Sequence, residues 1–280
     1  MPGFQLNWVV ALRPEARAVI ERFGLQRVDS ALFPVYENEM GTTRLVVSGP
    51  GKVNAAAATA TLAAMENEAQ PDATGWVNFG IAGCGERCFG ETRLAGKVTD
   101  GGSGNSWFPG AAWPRKFDPP TGSVLTVEKP VEDYPTDGSL VEMEAAGFLP
   151  VAIRDATIEL CQVLKVVSDD PEHPIEGIDK SLAFKLCQDA LSECGDWLAA
   201  FHDLGGEEAA RLADPPGLAE LLKVAHFSVT RQHQLRRTLQ QWSARFPGVS
   251  VLETPIVDLR DAATILRELR KKIFDQERES

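Results

Sequence analysis

An α/β fold with a largely parallel sheet is predicted for this 280-residue chain by three observations. Short β-rich runs alternate with helical ones over the first two thirds, as in strands joined by crossover helices. Two of the strand-like runs end in glycine clusters, "SGPGKVN" (48–54) and "FGIAGCGE" (79–86), where a backbone can approach a ligand beyond the carboxyl ends of strands. The length suffices for a full core, as one large domain or as a domain with an addition.

"NWVVAL" (7–12) reads as a strand and "PEARAVIERFG" (14–24) as a helix opened by Pro14 and stopped by Gly24. "RLVVSG" (44–49) is a second strand, followed by a turn and the Ala-rich helix at 53–69. "GWVNFGIAG" (75–83) and "AGKVTDGG" (95–102) are the third and fourth strands. The Gly-, Pro- and aromatic-rich segment 101–122 is a loop whose length marks it as functional or mobile. "SVLTVE" (123–128) and "IELCQVLKVVSDD" (158–170) supply further strands, with a helix in "LVEMEAAGFL" (140–149) between them.

After residue 205 the character changes. "GGEEAARLADPPG" reads as a linker, "AHFSV" (225–229) and "VSVLE" (249–253) as strands, and 231–246 and 258–276 as helices. The expected organisation is therefore a main domain, 1–204, and a C-terminal addition, 205–280, packed on it.

Composition bounds the function. At 44% hydrophobic and 24% charged residues the chain is that of an ordinary soluble protein. It has no apolar run long enough for a bilayer and no signal-peptide pattern, so a cytoplasmic location is expected. Five scattered cysteines without CxxC spacing predict reduced thiols, no metal site and no cofactor bound through them. A net charge of −12 disfavours nucleic acid. Residues 221–252 run against that balance, with no acid but with Lys223, Arg231, Arg236, Arg237 and Arg245. This stretch, with His226 and His233, is either a solvated helix face or a surface for an anionic substrate tail, a partner or RNA.

Locally, each acid of interest has an ordinary explanation. Glu15 lies in a first helical turn, where the helix dipole favours a carboxylate, and Asp169 follows a strand, where an Asp caps or turns the chain. Neither glycine cluster is a nucleotide-binding fingerprint, since the first reads G-x-G-x-x-N.

The order of the pieces says more. "VVALRPE", "SGPGKVNAAAA", "NFGIAG", "VEMEAAGF" and "VVSDD" occur in one sequence that resembles the nucleoside phosphorylase/nucleosidase superfamily over roughly residues 7 to 200. Within it, the resemblance is strongest to methylthioadenosine/S-adenosylhomocysteine nucleosidases and futalosine hydrolase. It implies a three-layer sandwich, a mixed and mostly parallel sheet with helices on both faces, and a homodimer acting on a small-molecule nucleoside without a cofactor.

By the same resemblance Asp169, preceded by Ser168, acts on N7 of a purine, Glu144 grips the ribose hydroxyls over Met143, and Glu15 activates a water. Gly51, Ile81, Ala82 and Gly83 line the substrate through the glycine clusters, with Ile81 where the family has a small hydroxyl residue. A carboxylate at the nucleophile site repels phosphate, so hydrolysis is favoured over phosphorolysis. Arg87 and Arg93, close to the second glycine cluster, keep a phosphate site open, as does the further alternative of a binding protein without chemistry.

The stretch "TVEKPVEDYPTDGSLVEME" has no aromatic where the family stacks one on adenine, so Trp107, Phe108 and Trp113 of the long loop become the stacking candidates. Residues two apart in a helix point about 200° from each other. Glu144 is therefore expected to face the site, with Glu142 a helix-start acid outside it.

Overall fold

A computed structural model describes residues 3–30, 32–65, 71–109, 119–131 and 133–275. Strand β1 (Phe4–Val10) is buried along its whole length because alternate residues face two apolar layers. Leu6, Trp8 and Val10 join one cluster and Val9 the other. Helix α1 (Arg13–Phe23) follows with Pro14 in its first turn, where a missing amide hydrogen costs nothing. Two short strands absent from the sequence reading, β2 (Gln26–Val28) and β3 (Val35–Glu37), then lead into β4 (Thr43–Val47).

Helix α2 (Lys52–Ala64) returns the chain to β5 (Ala73–Cys84), the longest strand, and β6 (Thr92–Asp100) and β7 (Ser106–Trp107) follow. Next come β8 (Thr121–Thr126), β9 (Leu140–Glu142), α3 (Ala145–Ala152) and β10 (Cys161–Asp169). Helices α4 (Lys180–Glu193) and α5 (Gly195–Leu212) complete this unit. The result is the expected three-layer α/β sandwich: α1, α4 and α5 bury one face of the sheet and α2 and α3 the other.

The sheet is mixed. Strands β4, β1, β5 and β10 are parallel neighbours, while β2, β3 and the β6–β10 pair run antiparallel. One edge of β5 serves two partners. It pairs with β1 up to Phe79 and with β9 at Gly83 and Cys84. Because β9 also pairs with β8, β8 with β6 and β6 with β10, the strands β5, β10, β6, β8 and β9 close into a ring. Between the carboxyl end of β1 and that of the antiparallel β9, residues 80–82 lack a strand neighbour on that edge. The cavity described below opens there.

Several expectations change. The helix sought in 140–149 begins only at Ala145, because Leu140–Glu142 is recruited as the strand that closes the ring. The linker sought at 205–217 is mostly helix, since α5 runs unbroken from Gly195 to Leu212 with Trp197, Phe201 and Ala209 buried. The compact units accordingly divide at Leu212 and Ala213 rather than at 204 and 205.

The second unit is helical, with α6 (Leu218–Val224), α7 (Val229–Arg245) and α8 (Ala262–Asp275). The two strands read at 225–229 and 249–253 are instead a turn entering α7 and a short 3-10 segment. Their apolar residues, Phe227 and Val251, join an all-helical core with Leu235, Leu239, Trp242, Ile265 and Leu269 and so gain nothing from a sheet. In α7, Leu235, Thr238, Leu239 and Trp242 turn inward. Arg231, Arg237 and Arg245 are left in solvent and Arg236 pairs with Asp214, so the acid-free stretch forms a solvated helix face.

Candidate active site

A cavity of about 300 Å³ lies at the carboxyl ends of β1, β5 and β10 and the start of α3. It is lined by Glu15, Ile81, Ala82, Gly83, Met143, Glu144, Ser168 and Asp169, together with Glu142 and Tyr134. The volume falls within the range of small-molecule sites, roughly 300–1,000 Å³.

Glu15 sits in the third position of α1 and is 2% exposed. Its Oε2 accepts from the backbone amides of Leu12 at 2.7 Å and Ala11 at 3.1 Å, and its Oε1 accepts from Ile81 N at 3.0 Å. The carboxylate thus occupies the partnerless edge of β5. Gly80 makes this possible, since a Cβ there would stand 2.5 Å from Glu15 Oε1. Burial raises the Glu15 pKa to about 7, against the opposing pull of Lys165 and the backbone amides.

Lys165 is the group the sequence reading missed at this end. Within β10 it reads as an ordinary solvated lysine, yet it is 1% exposed and lies 2.9 Å from Glu142 and 3.8 Å from Glu144. Burial alone would lower its pKa, but Glu142, Glu144 and Glu15 outweigh that and raise it, so it stays charged.

Glu142 is indeed a helix-start acid, but a buried one. It accepts from Thr126 Oγ1 at 2.5 Å, from Glu144 N at 3.0 Å and from Ala145 N at 2.9 Å. Glu142 and Glu144 both line the cavity, against the expectation of one, because both precede the first helical turn and helical angles do not apply. Glu144 keeps one oxygen on Gly51 N, at 2.9 Å, and its pKa is raised by burial and by the neighbouring Glu142.

At the opposite end β10 carries a bulge between Val167 and Asp169, which brings Asp169 beside Gly83. Ser168 Oγ donates to Asp169 Oδ1 at 2.5 Å, and the Tyr134 hydroxyl donates to Oδ2. A Cβ at Gly83 would lie 2.4 Å from the Tyr134 ring and 2.5 Å from Asp169 Oδ2, so the room here serves two side chains of the protein itself.

Two of the three stacking candidates lie away from the cavity. Trp107 pairs through β7 with Val98 and packs on the α2–α3 apolar cluster, and Phe108 is 55% exposed; neither lines the cavity. Trp113 lies outside the described residues. The aromatic wall is Tyr134, in the very stretch read as lacking one at the matching place. The arginines near the second glycine cluster do not reach the cavity either. Arg93 is held by Glu91 and by the Gly138 carbonyl, and Arg87 is exposed beside Glu172. No cluster of metal-ligating residues occurs among the described residues.

Neither a family model nor a curated protein sequence matches the chain. Solved structures do. The methylthioadenosine/S-adenosylhomocysteine nucleosidase of Helicobacter pylori is similar at 14% identity and a TM-score of 0.53, over 72% of this chain and 99% of that one. The corresponding enzyme of Colwellia psychrerythraea 34H, solved in complex with adenine, is similar at 19% identity and a TM-score of 0.51, over 69% and 96%. Futalosine hydrolase of Helicobacter pylori is similar at 15% identity and a TM-score of 0.54, over 71% and 97%. At such identities the likeness is one of architecture, an α/β fold shared with these nucleosidase and hydrolase structures.

Proposed function

We propose that the chain hydrolyses the N-glycosidic bond of a purine nucleoside, of the adenosine type with a modified 5′ position, and releases the free base. The observation that carries this reading is the division of one cavity into two ends. A buried carboxyl with a pKa near 7, Glu15, stands at one end, and a carboxyl held by two hydroxyls, Asp169, stands at the other. The named activities of the structural neighbours agree with it.

Cleavage of such a bond builds positive charge on the sugar and negative charge on the base, so it needs a proton donor at the base and a proton acceptor at the water. In this reading Asp169 gives its proton to N7 while the bond's electron pair passes to the base. Glu15, ionised, takes a proton from the water that attacks the anomeric carbon. Glu144 accepts from the ribose hydroxyls over Met143, and its neighbour Lys165 keeps the several acids of that end tolerable in one buried space.

Water is preferred to phosphate on electrostatic grounds. No arginine lines the cavity among the described residues, and Lys165 is already engaged with Glu142. A phosphate dianion would meet Glu15 and Glu144 without a free cation. Base release from a panel of adenine and hypoxanthine nucleosides, with and without phosphate, tests the proposal. Product formed only with phosphate would make the enzyme a phosphorylase, and tight binding without product would make it a binding protein.

The catalytic unit in this proposal is the first one, extended to Leu212, and its assembly is a homodimer, which sedimentation of the intact chain checks directly. A cytoplasmic setting belongs to the same proposal, in keeping with the reduced interior thiols of Cys84, Cys161 and Cys187.

A further inference from the structure

We infer that Tyr134 is the residue that admits 6-oxopurines to this site beside 6-aminopurines. The inference rests on the nucleoside reading above and concerns the base that the site selects.

Both oxygens of Asp169 are engaged, Oδ1 by the Ser168 hydroxyl and Oδ2 by the Tyr134 hydroxyl. The pairing is built into the chain around it. Any side chain at position 83 would strike the Tyr134 ring and the Asp169 carboxylate, and a Cβ at Gly85 would lie 2.5 Å from the carbonyl oxygen of Pro135. The glycines of "GCG" therefore make a seat for the Tyr134–Pro135 segment against Asp169.

A phenol can face either base. It has one hydrogen to donate and lone pairs that accept. An aminopurine presents an acceptor at N7 and a donor at the 6 position. Tyr134 then keeps donating to Asp169 and accepts the amino hydrogen. An oxopurine presents acceptors at both positions. With Asp169 protonated toward N7, the Tyr134 hydroxyl turns from Oδ2 to the 6-oxygen. A bare carboxylate could not serve the second case, because its free oxygen would face another acceptor with no hydrogen between them.

Tyr134→Phe keeps the ring against Gly83 and removes only the hydroxyl. The loss leaves Asp169 Oδ2 open to accept an amino hydrogen, so adenine is still paired while the oxygen of hypoxanthine is not. Calorimetric titration of adenine and of hypoxanthine into the full chain reads this without requiring turnover. We expect hypoxanthine binding to weaken about 10- to 100-fold in Tyr134→Phe, the cost of an unpaired buried acceptor, and adenine binding to change by less than about 3-fold. An equal loss for both bases would reduce Tyr134 to a packing residue and overturn the inference. So would an unchanged hypoxanthine affinity, or a wild-type protein that binds only adenine or neither base. Base release from inosine and adenosine is measured on the same samples. If the selective binding effect appears but no base is released, the hydrolase reading falls and the role of Tyr134 stands.

Discussion

At one end of the cavity Glu15, Glu142 and Glu144 share a single buried cation, Lys165; at the other, Asp169 shares two neutral hydroxyls. The difference is physical in origin. A buried charge can be offset by an opposite charge, which binds the group into the fold, or by hydroxyl dipoles, which can turn when the protonation state changes. The first arrangement holds several acids in one buried space, while burial still raises the Glu15 pKa to about 7. The second suits a group that has to carry a proton at one moment and lose it at the next.

The sharpest way to break this contrast is at Asp169. Asp169→Asn removes the proton donor but leaves two hydroxyls that can reorient to the amide, so base release should fall by about 10²- to 10⁴-fold while the urea midpoint stays near that of wild type. Near-normal turnover in that variant would sink the assignment.

Lys165→Met should do the reverse of Asp169→Asn. It strands Glu142 without its counter-charge at 2.9 Å and should cost about 3–5 kcal/mol in urea unfolding, a loss borne by the fold before the chemistry. A stable Lys165→Met protein would show that the carboxylates there are already protonated.

The two acids of "EME" should separate along the same line. Glu142→Gln weakens the start of α3 and the Lys165 pair and should lower stability by about 1–3 kcal/mol. Glu144→Ala should weaken nucleoside binding about 10-fold or more, with a smaller change in stability. Equal effects on both readouts would mean that the roles are not divided.

The smallest effect is a titration. Because burial raises the Glu15 pKa from its ordinary 4.5 to about 7, kcat/KM should rise with pH through a limb near 7 as the carboxylate forms. The sign for stability is opposite. Between pH 4.5 and 7 the unfolded chain releases this proton before the folded one, so the Glu15 contribution to stability declines as pH rises. A kinetic limb at 4.5 would show that Glu15 is not held in a desolvated site.

Much of this architecture is legible in the chain. The longer strands of the first unit announce themselves as apolar runs, two of them ending in glycine clusters, and Glu15, Glu144, Ser168 and Asp169 stand at strand ends and helix starts. Such positions are set by local rules of turn and cap, which is why their order along the chain carries so much. The second unit was legible only as helices and solvated basic residues, since short β-branched runs such as "VSVLE" acquire a conformation from what they pack against.

What the sequence by itself determined is therefore the order of elements and the set of acids that their ends can present. The closing of β5, β10, β6, β8 and β9 into a ring is a matter of tertiary structure, and three features of the site depend on it. It buries Lys165, which would otherwise be an ordinary strand lysine, and Glu142, which would otherwise be an ordinary helix-start acid. It also brings Tyr134 over Gly83 onto Asp169, from a segment with no pattern of its own. Burial and pairing across 35 residues of chain, as between Tyr134 and Asp169, are properties of closure, and no local spacing encodes them.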